Sequence, residues 1–106
     1  MINKLKKLLG IRTPTNYGKL VKEGALILDV RSKDEFNSGH IKTSINISVD
    51  KLSANLDKLK DKNKVIITCC ASGMRSAMAK NMLKSKGYLH VYNGGSWYSL
   101  SKKIKE

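Results

Sequence analysis

Short apolar runs recur along the chain, separated by segments of helical period. Ala25-Leu26-Ile27-Leu28-Asp29-Val30 is apolar apart from one acid, and Val65-Ile66-Ile67-Thr68 and Leu89-His90-Val91-Tyr92 have a similar character. Runs this short, without alternation, predict strands buried on both faces, as in a parallel sheet. Ile45 and Ile47, two apart, predict a shorter strand within residues 41–48. Helical spacing fills the intervals. Tyr17, Leu20 and Val21 form one face, ended by Gly24. Ser32-Lys33-Asp34-Glu35 has the form of a capping box opening a short helix that stops by Gly39. Asp50 is positioned to cap a helix burying Leu52, Leu56 and Leu59. Ala79, Met82 and Leu83 face a core, with Lys80 and Lys84 outside and Gly87 at the end. Trp97, Leu100 and Ile104 mark a last helix. Asp61-Lys62-Asn63 and Asn93-Gly94-Gly95 are expected to be turns.

Strand and helix therefore alternate. The expectation is an α/β fold, a small parallel β-sheet flanked by helices on both faces through right-handed crossovers. In such sheets the functional site lies at the carboxyl ends of the strands. Before Thr13-Pro14 breaks the pattern, Ile2, Leu5, Leu8 and Leu9 fall on one side of a short basic helix, too short to be stable alone.

A chain of 106 residues, 41% apolar, is one domain with one core. No run reaches the length of a membrane span, and the N-terminal apolar stretch is too short for a signal peptide. The expected location is the cytoplasm, where two adjacent cysteines stay reduced. The net charge of +13 raises the question of a polyanionic partner. The lysines are spread along the chain without interleaved aromatics, so the expected reading is a solvated basic surface that attracts small anions, and nucleic acid is not expected as a partner. Arginine is rare in this lysine-rich chain, at positions 12, 31 and 75 only. Its planar fork suggests a specific task at each.

Two of those arginines adjoin the candidate chemistry. Asp29-Val30-Arg31 ends the first buried strand, and Cys69-Cys70-Ala71-Ser72-Gly73-Met74-Arg75-Ser76 carries the second into a helix. A thiolate at that junction gains from loop amides, from the helix N-terminus and from Arg75. Gly73 lets the loop curl, and Ala71 and Ser72 leave its mouth open. Such a cysteine suits attack on an anionic substrate.

The segment Cys70-Ala71-Ser72-Gly73-Met74-Arg75-Ser76 resembles the Cys-x-x-Gly-x-Arg-Ser loop of rhodanese-like sulfurtransferases. Leu28-Asp29-Val30-Arg31-Ser32, Asp34-Glu35-Phe36, Gly39-His40-Ile41, Ile45-Asn46-Ile47, Gly87-Tyr88 and Val91-Tyr92-Asn93-Gly94-Gly95 are similar to further family segments, in family order. The resemblance implies a rhodanese-like domain over residues 13–106, after a short basic N-terminal segment 1–12. It implies a sulfurtransferase cycle. Cys70 takes the outer sulfur of a small anionic donor such as thiosulfate, becomes a persulfide, and passes the sulfur to cyanide or to a thiol or protein acceptor. Ala71, Ser72, Gly73, Met74 and Arg75 would form the persulfide-binding loop, with Asp29, Arg31 and Ser76 in support. No metal or organic cofactor is implied, and no metal-ligand spacing is present. Met74 stands where many members carry a polar residue, which makes the mouth more apolar.

Two alternatives stay open. Counted from Cys69, the loop has the Cys-x5-Arg-Ser spacing of cysteine phosphatases and related arsenate reductases of the same fold. Cys69 also continues an apolar strand, which suits a buried core thiol. A non-enzymatic persulfide carrier or binding module is the second alternative. Asp29 with Arg31 is expected to tie loops together. His40 is expected in a structural hydrogen bond, and Trp97 as a core anchor.

Overall fold

The computed structural model describes residues 14–105. The expectations for Ile2, Leu5, Leu8 and Leu9, and for segment 1–12 with its Arg12, lie outside the described residues. Helix α1 (Tyr17–Lys22) is capped by Asn16, whose side chain accepts from the Lys19 amide at 3.0 Å. It ends at Gly24, where φ is +103°. Strand β1 (Leu26–Asp29) follows, then helix α2 (Lys33–Asn37) with its capping box formed. Ser32 Oγ accepts from the Glu35 amide at 3.2 Å, and Glu35 Oε1 accepts from the Ser32 amide at 3.1 Å. Strand β2 is only Ile45–Asn46.

The next element, η1 (Val49–Leu59), is a 3-10 segment with a kink at Asn55. Ser48 occupies its N-cap without a side-chain hydrogen bond, and Asp50 lies inside the first turn, so Asp50 is not the cap. Asn55 Nδ2 donates to the Lys51 carbonyl at 2.8 Å, a local bond that competes with the helical ladder. Leu52 and Leu59 are buried as expected, and Leu56 packs at the margin. Strand β3 (Val65–Cys70), helix α3 (Met74–Ser85), strand β4 (His90–Ser96) and helix α4 (Trp97–Lys105) complete the chain.

The four strands form one parallel sheet in the order β2-β1-β3-β4. One face packs Leu28, Val30, Ile66, Cys70 and Val91 against Leu52, Leu59, Ala79 and Leu83 of η1 and α3. The other packs Ile27, Ile67 and Cys69 against Leu100, with Tyr17, Leu20 and Ile104 of α1 and α4. Burying each such aliphatic side chain stabilises by about 1.5–3 kcal/mol. The helices therefore cover both faces, as the unalternating strands predict.

Asn93-Gly94-Gly95 does not turn the chain. It remains in β4 and carries a bulge: Thr68 pairs with Asn93, but Cys70 pairs with Ser96. A Cβ on Gly94 would lie 2.8 Å from Ile67 Cγ2 and 2.9 Å from Leu100 Cδ2, so the backbone needs a glycine to pass beneath α4. Gly95 takes the positive φ, +79°. Among the described residues, no helix is long and apolar enough to cross a membrane.

Candidate active site

Strand β3 carries the adjacent cysteines to the carboxyl edge of the sheet. Strand alternation sends their side chains to opposite faces. Cys70 joins the core beneath η1 and α3, and Cys69 the core beneath α1 and α4. Both are free thiols and fully buried as residues.

Three residues later the chain turns over Cys70. Gly73 is the N-cap of α3 at φ +104°, a conformation that aims its amide back at the sulfur. The Gly73 amide donates to Cys70 Sγ at 3.0 Å and the Ser76 amide at 3.4 Å. Ser76 Oγ stands 3.4 Å from the sulfur, 3.0 Å from the Gly73 carbonyl oxygen and 2.6 Å from Asn93 Oδ1. Burial alone pushes the Cys70 thiol up. The Ser76 hydroxyl and the amides of Ser76, Gly73 and Ser72 favour the thiolate and outweigh burial, so the thiol is held below its ordinary value. Cys69 behaves oppositely. Burial first, then the Asp29 carboxylate and Cys70, push it up to about 12 against a partial counter-effect of Arg31.

Of the expected loop, Gly73 thus touches the sulfur through its amide, as does Ser76 just beyond it. Ala71, Ser72 and Met74 form an exposed rim, Met74 at 77% exposure. The Arg75 side chain does not reach the sulfur. Its Nη1 and Nη2 donate to Glu35 Oε1 at 2.7 Å and Oε2 at 2.9 Å, a bidentate pair joining α3 to α2. The Arg75 bond, then the Ser32 amide, hold the Glu35 carboxyl down at about 2.

Asp29 and Arg31 form a buried pair at 2.7 Å. Arg31 also donates to the carbonyls of Glu35 at 3.2 Å and Gly39 at 2.6 Å, and its guanidinium lies 4.7 Å from the Trp97 ring centroid. Asn46 Nδ2 donates to the carbonyls of Asp29 and Arg31. These contacts tie the end of β1 to α2, Gly39, β2 and the start of α4. His40 Nδ1 lies 2.7 Å from the Phe36 carbonyl and its ring stacks on Phe36.

Two residues that hold the loop from outside are not legible as site residues in the sequence. Asn93, taken for a turn residue, receives the Ser76 hydroxyl and donates to the Gly73 carbonyl at 3.2 Å. Glu35, read only as a capping residue, also holds Arg75. Neither partnership has a local signature, since each joins residues far apart in sequence. A cavity of about 580 Å³ opens between α2 and η1, lined by Ser32, Phe36, Asn46 and Lys58 among others, and includes no residue of the Cys70 loop. Among the described residues, no group of three or more His, Cys, Asp or Glu could hold a metal ion.

Comparison with known proteins bears on this geometry. The family model for the rhodanese-like domain matches residues 13–99. A putative mitochondrial thiosulfate sulfurtransferase of Schizosaccharomyces pombe is 34% identical over 97 residues, covering 78% of this chain and 68% of that protein. The uncharacterized protein YibN of Escherichia coli is 36% identical over 75 residues, covering 67% of this chain. The chain spans about half of YibN's length, at 51%. Among solved structures, the human single-domain sulfurtransferase TSTD1 superposes with a TM-score of 0.67 at 26% identity, over 79% of this chain and 87% of that one.

Proposed function

The chain belongs to the rhodanese-like domain family, and from that membership we propose that it is a sulfurtransferase. It moves a sulfane sulfur from a donor such as thiosulfate to cyanide or a thiol acceptor, through a persulfide on Cys70. The observation that carries the reading is the convergence of the Gly73 and Ser76 amides on Cys70 Sγ, with Ser76 Oγ accepting from the thiol at 3.4 Å. Those donors favour a thiolate, the form that attacks sulfur.

In the first half-reaction the Cys70 thiolate attacks the outer sulfur of thiosulfate. The Sγ–S bond forms, the donor S–S bond breaks, and sulfite leaves with the bonding pair. The terminal sulfur of the persulfide is then attacked by the acceptor. A C–S bond forms with cyanide, or an S–S bond with a thiol, and the Cys70 thiolate leaves. The Gly73 and Ser76 amides hold the negative charge at Sγ in both directions, as preorganised donors do for charge that develops in a transition state, and Asn93 holds the loop that carries them. We assign this chemistry to a reducing compartment, the cytoplasm, where both thiols stay free.

Nothing at Cys69 favours the phosphatase or arsenate reductase alternative. Its thiol faces the α1–α4 side and is held protonated. The test is intact mass after incubation with thiosulfate, followed by mapping of the added sulfur. The expected result is one sulfur on Cys70. Cys70→Ser abolishes thiosulfate:cyanide turnover, whereas Cys69→Ser keeps it within about threefold, because removing an unreactive core thiol acts only through packing. Full turnover in Cys70→Ser would end the reading.

A further inference from the structure

Arginine at the end of such a loop would ordinarily offer its charge to an anionic donor. Here both arginines among the described residues are held by carboxylates, Arg31 by Asp29 and Arg75 by Glu35. The Arg75 pair is bidentate, and Glu35 stays ionised at any pH above about 2. A bidentate carboxylate satisfies the face of the guanidinium that would otherwise receive a planar or tetrahedral anion. Beside the small Ala71 and Ser72, the exposed side chains of the loop and the first turns of α3 include two large apolar ones: Met74 is 77% exposed and Met78, one turn on, 61% exposed. Two large apolar side chains left in water on the helix that follows the Cys70 loop fit an organic group better than a dianion.

We infer that Glu35 sets the class of sulfur donor: by neutralising Arg75 it matches the site to a thiol-borne persulfide, R–S–SH, in preference to thiosulfate. This deepens the sulfurtransferase reading and rests on it. The chemistry is balanced for either donor. With the persulfide, the Cys70 thiolate attacks the terminal sulfur, the R–S bond to it breaks, and RS⁻ leaves with the bonding pair. One thiolate and one persulfide enter, and one of each emerges, without net oxidation. With thiosulfate the leaving group is sulfite, a dianion. The extra charge enters with the donor and departs with the product, and it is the charge that an unpaired Arg75 would stabilise. The R group of the persulfide lies on Met74 and Met78. Arg75 lies five residues after Cys70 on the same loop, so releasing it from Glu35 leaves an unpaired cation at the loop's end.

Glu35→Gln tests this, because glutamine still completes a capping box at the start of α2 but leaves Arg75 charged. Persulfide formation on Cys70 is followed by intact mass and by rate, with thiosulfate and with 2-hydroxyethyl hydropersulfide generated in situ. The variant is expected to raise kcat/KM for thiosulfate by about fivefold, mainly through KM, the size of a partly exposed charged interaction. The hydropersulfide value stays within about twofold, since no dianion is involved. An unchanged or higher KM for thiosulfate in Glu35→Gln overturns the inference. A second measurement needs no variant. In the wild type, each donor's rate is divided by its rate with free cysteine. The hydropersulfide ratio is expected to exceed that for thiosulfate by at least about tenfold, or 1.4 kcal/mol, and equal ratios overturn the inference. If the hydropersulfide loads Cys70 faster than thiosulfate does, the sulfurtransferase reading and the donor preference both stand. If thiosulfate is preferred, only the preference falls. No sulfur on Cys70 from either donor overturns both.

Discussion

The Ser76 hydroxyl lies 2.6 Å from Asn93 Oδ1, which also accepts the Gly95 amide at 2.9 Å. Asn93 sits on β4 and Ser76 in the first turn of α3, so this contact joins the bulged strand to the loop that covers Cys70. The Tyr17 hydroxyl adds a bond to the Asn93 carbonyl at 3.0 Å, and Thr68 Oγ1 donates to the Ser76 carbonyl at 2.9 Å. The donors around Cys70 are thus fixed from behind before any substrate arrives.

Ser76→Ala removes the hydroxyl that stabilises the Cys70 thiolate. The pH profile of Cys70 alkylation is expected to move to higher pH, because losing a donor to the anion raises the thiol. At pH 7 the alkylation rate falls by about fivefold, the effect of one hydrogen bond worth ~1 kcal/mol. Asn93→Ala is expected to move the profile the other way, to lower pH, because the Ser76 proton that Asn93 Oδ1 accepts is freed to turn to the thiolate. Iodoacetamide kinetics at several pH values measure both.

Asp29→Ala leaves Arg31 buried without its carboxylate. The expected loss is about 3–5 kcal/mol, the range for removing one partner of a buried ion pair. Replacing both residues with apolar ones of similar size recovers much of it, because no uncompensated charge remains. Urea denaturation of the single and double variants distinguishes the two outcomes.

Glu35 gives a pH dependence with a definite sign. Its folded value, about 2, lies below the ordinary 4.5, chiefly through Arg75. The stabilisation is therefore fully present above about pH 4.5 and is lost as pH falls towards 2. Both side chains are more than a third exposed, at 36% and 38%, so the pair contributes less than about 1 kcal/mol after screening. The stability gap between wild type and Glu35→Gln is expected to be wider at pH 6 than at pH 3, and to shrink in high salt. Denaturant titrations at the two pH values measure it.

Gly94→Ala drives a methyl against Ile67, Leu100 and the Thr68 carbonyl oxygen, the last at 2.9 Å. Overpacking of this kind costs about 1–3 kcal/mol. Gly95→Ala has open space but a positive φ, so its cost of about 1 kcal/mol is conformational. Thermal melts of the two variants separate steric from backbone effects.

The order of strands and helices was legible because strands buried on both faces and helices with one apolar stripe carry distinct periods. The Ser32 capping box, the Gly24 stop and the strand-to-helix junction after Cys70 depend on neighbours a few residues apart, so the sequence by itself determined them. Three features escaped it. The kink of η1 comes from an Asn55 side chain choosing a local carbonyl over solvent. The continuation of β4 through Asn93-Gly94-Gly95 comes from the pressure of Leu100 on a strand that must bulge. The pairing of Arg75 with Glu35 spans 40 residues. Sequence placed two cysteines and an arginine in one loop. Only the tertiary structure sent Cys69 and Cys70 into different cores, surrounded one of them with donors, and closed the arginine on a carboxylate. Strand alternation and the parallel register decided the first, and the adjacency of β1 and β3, whose carboxyl ends lead into α2 and α3, the last, because both depend on which segments meet in space.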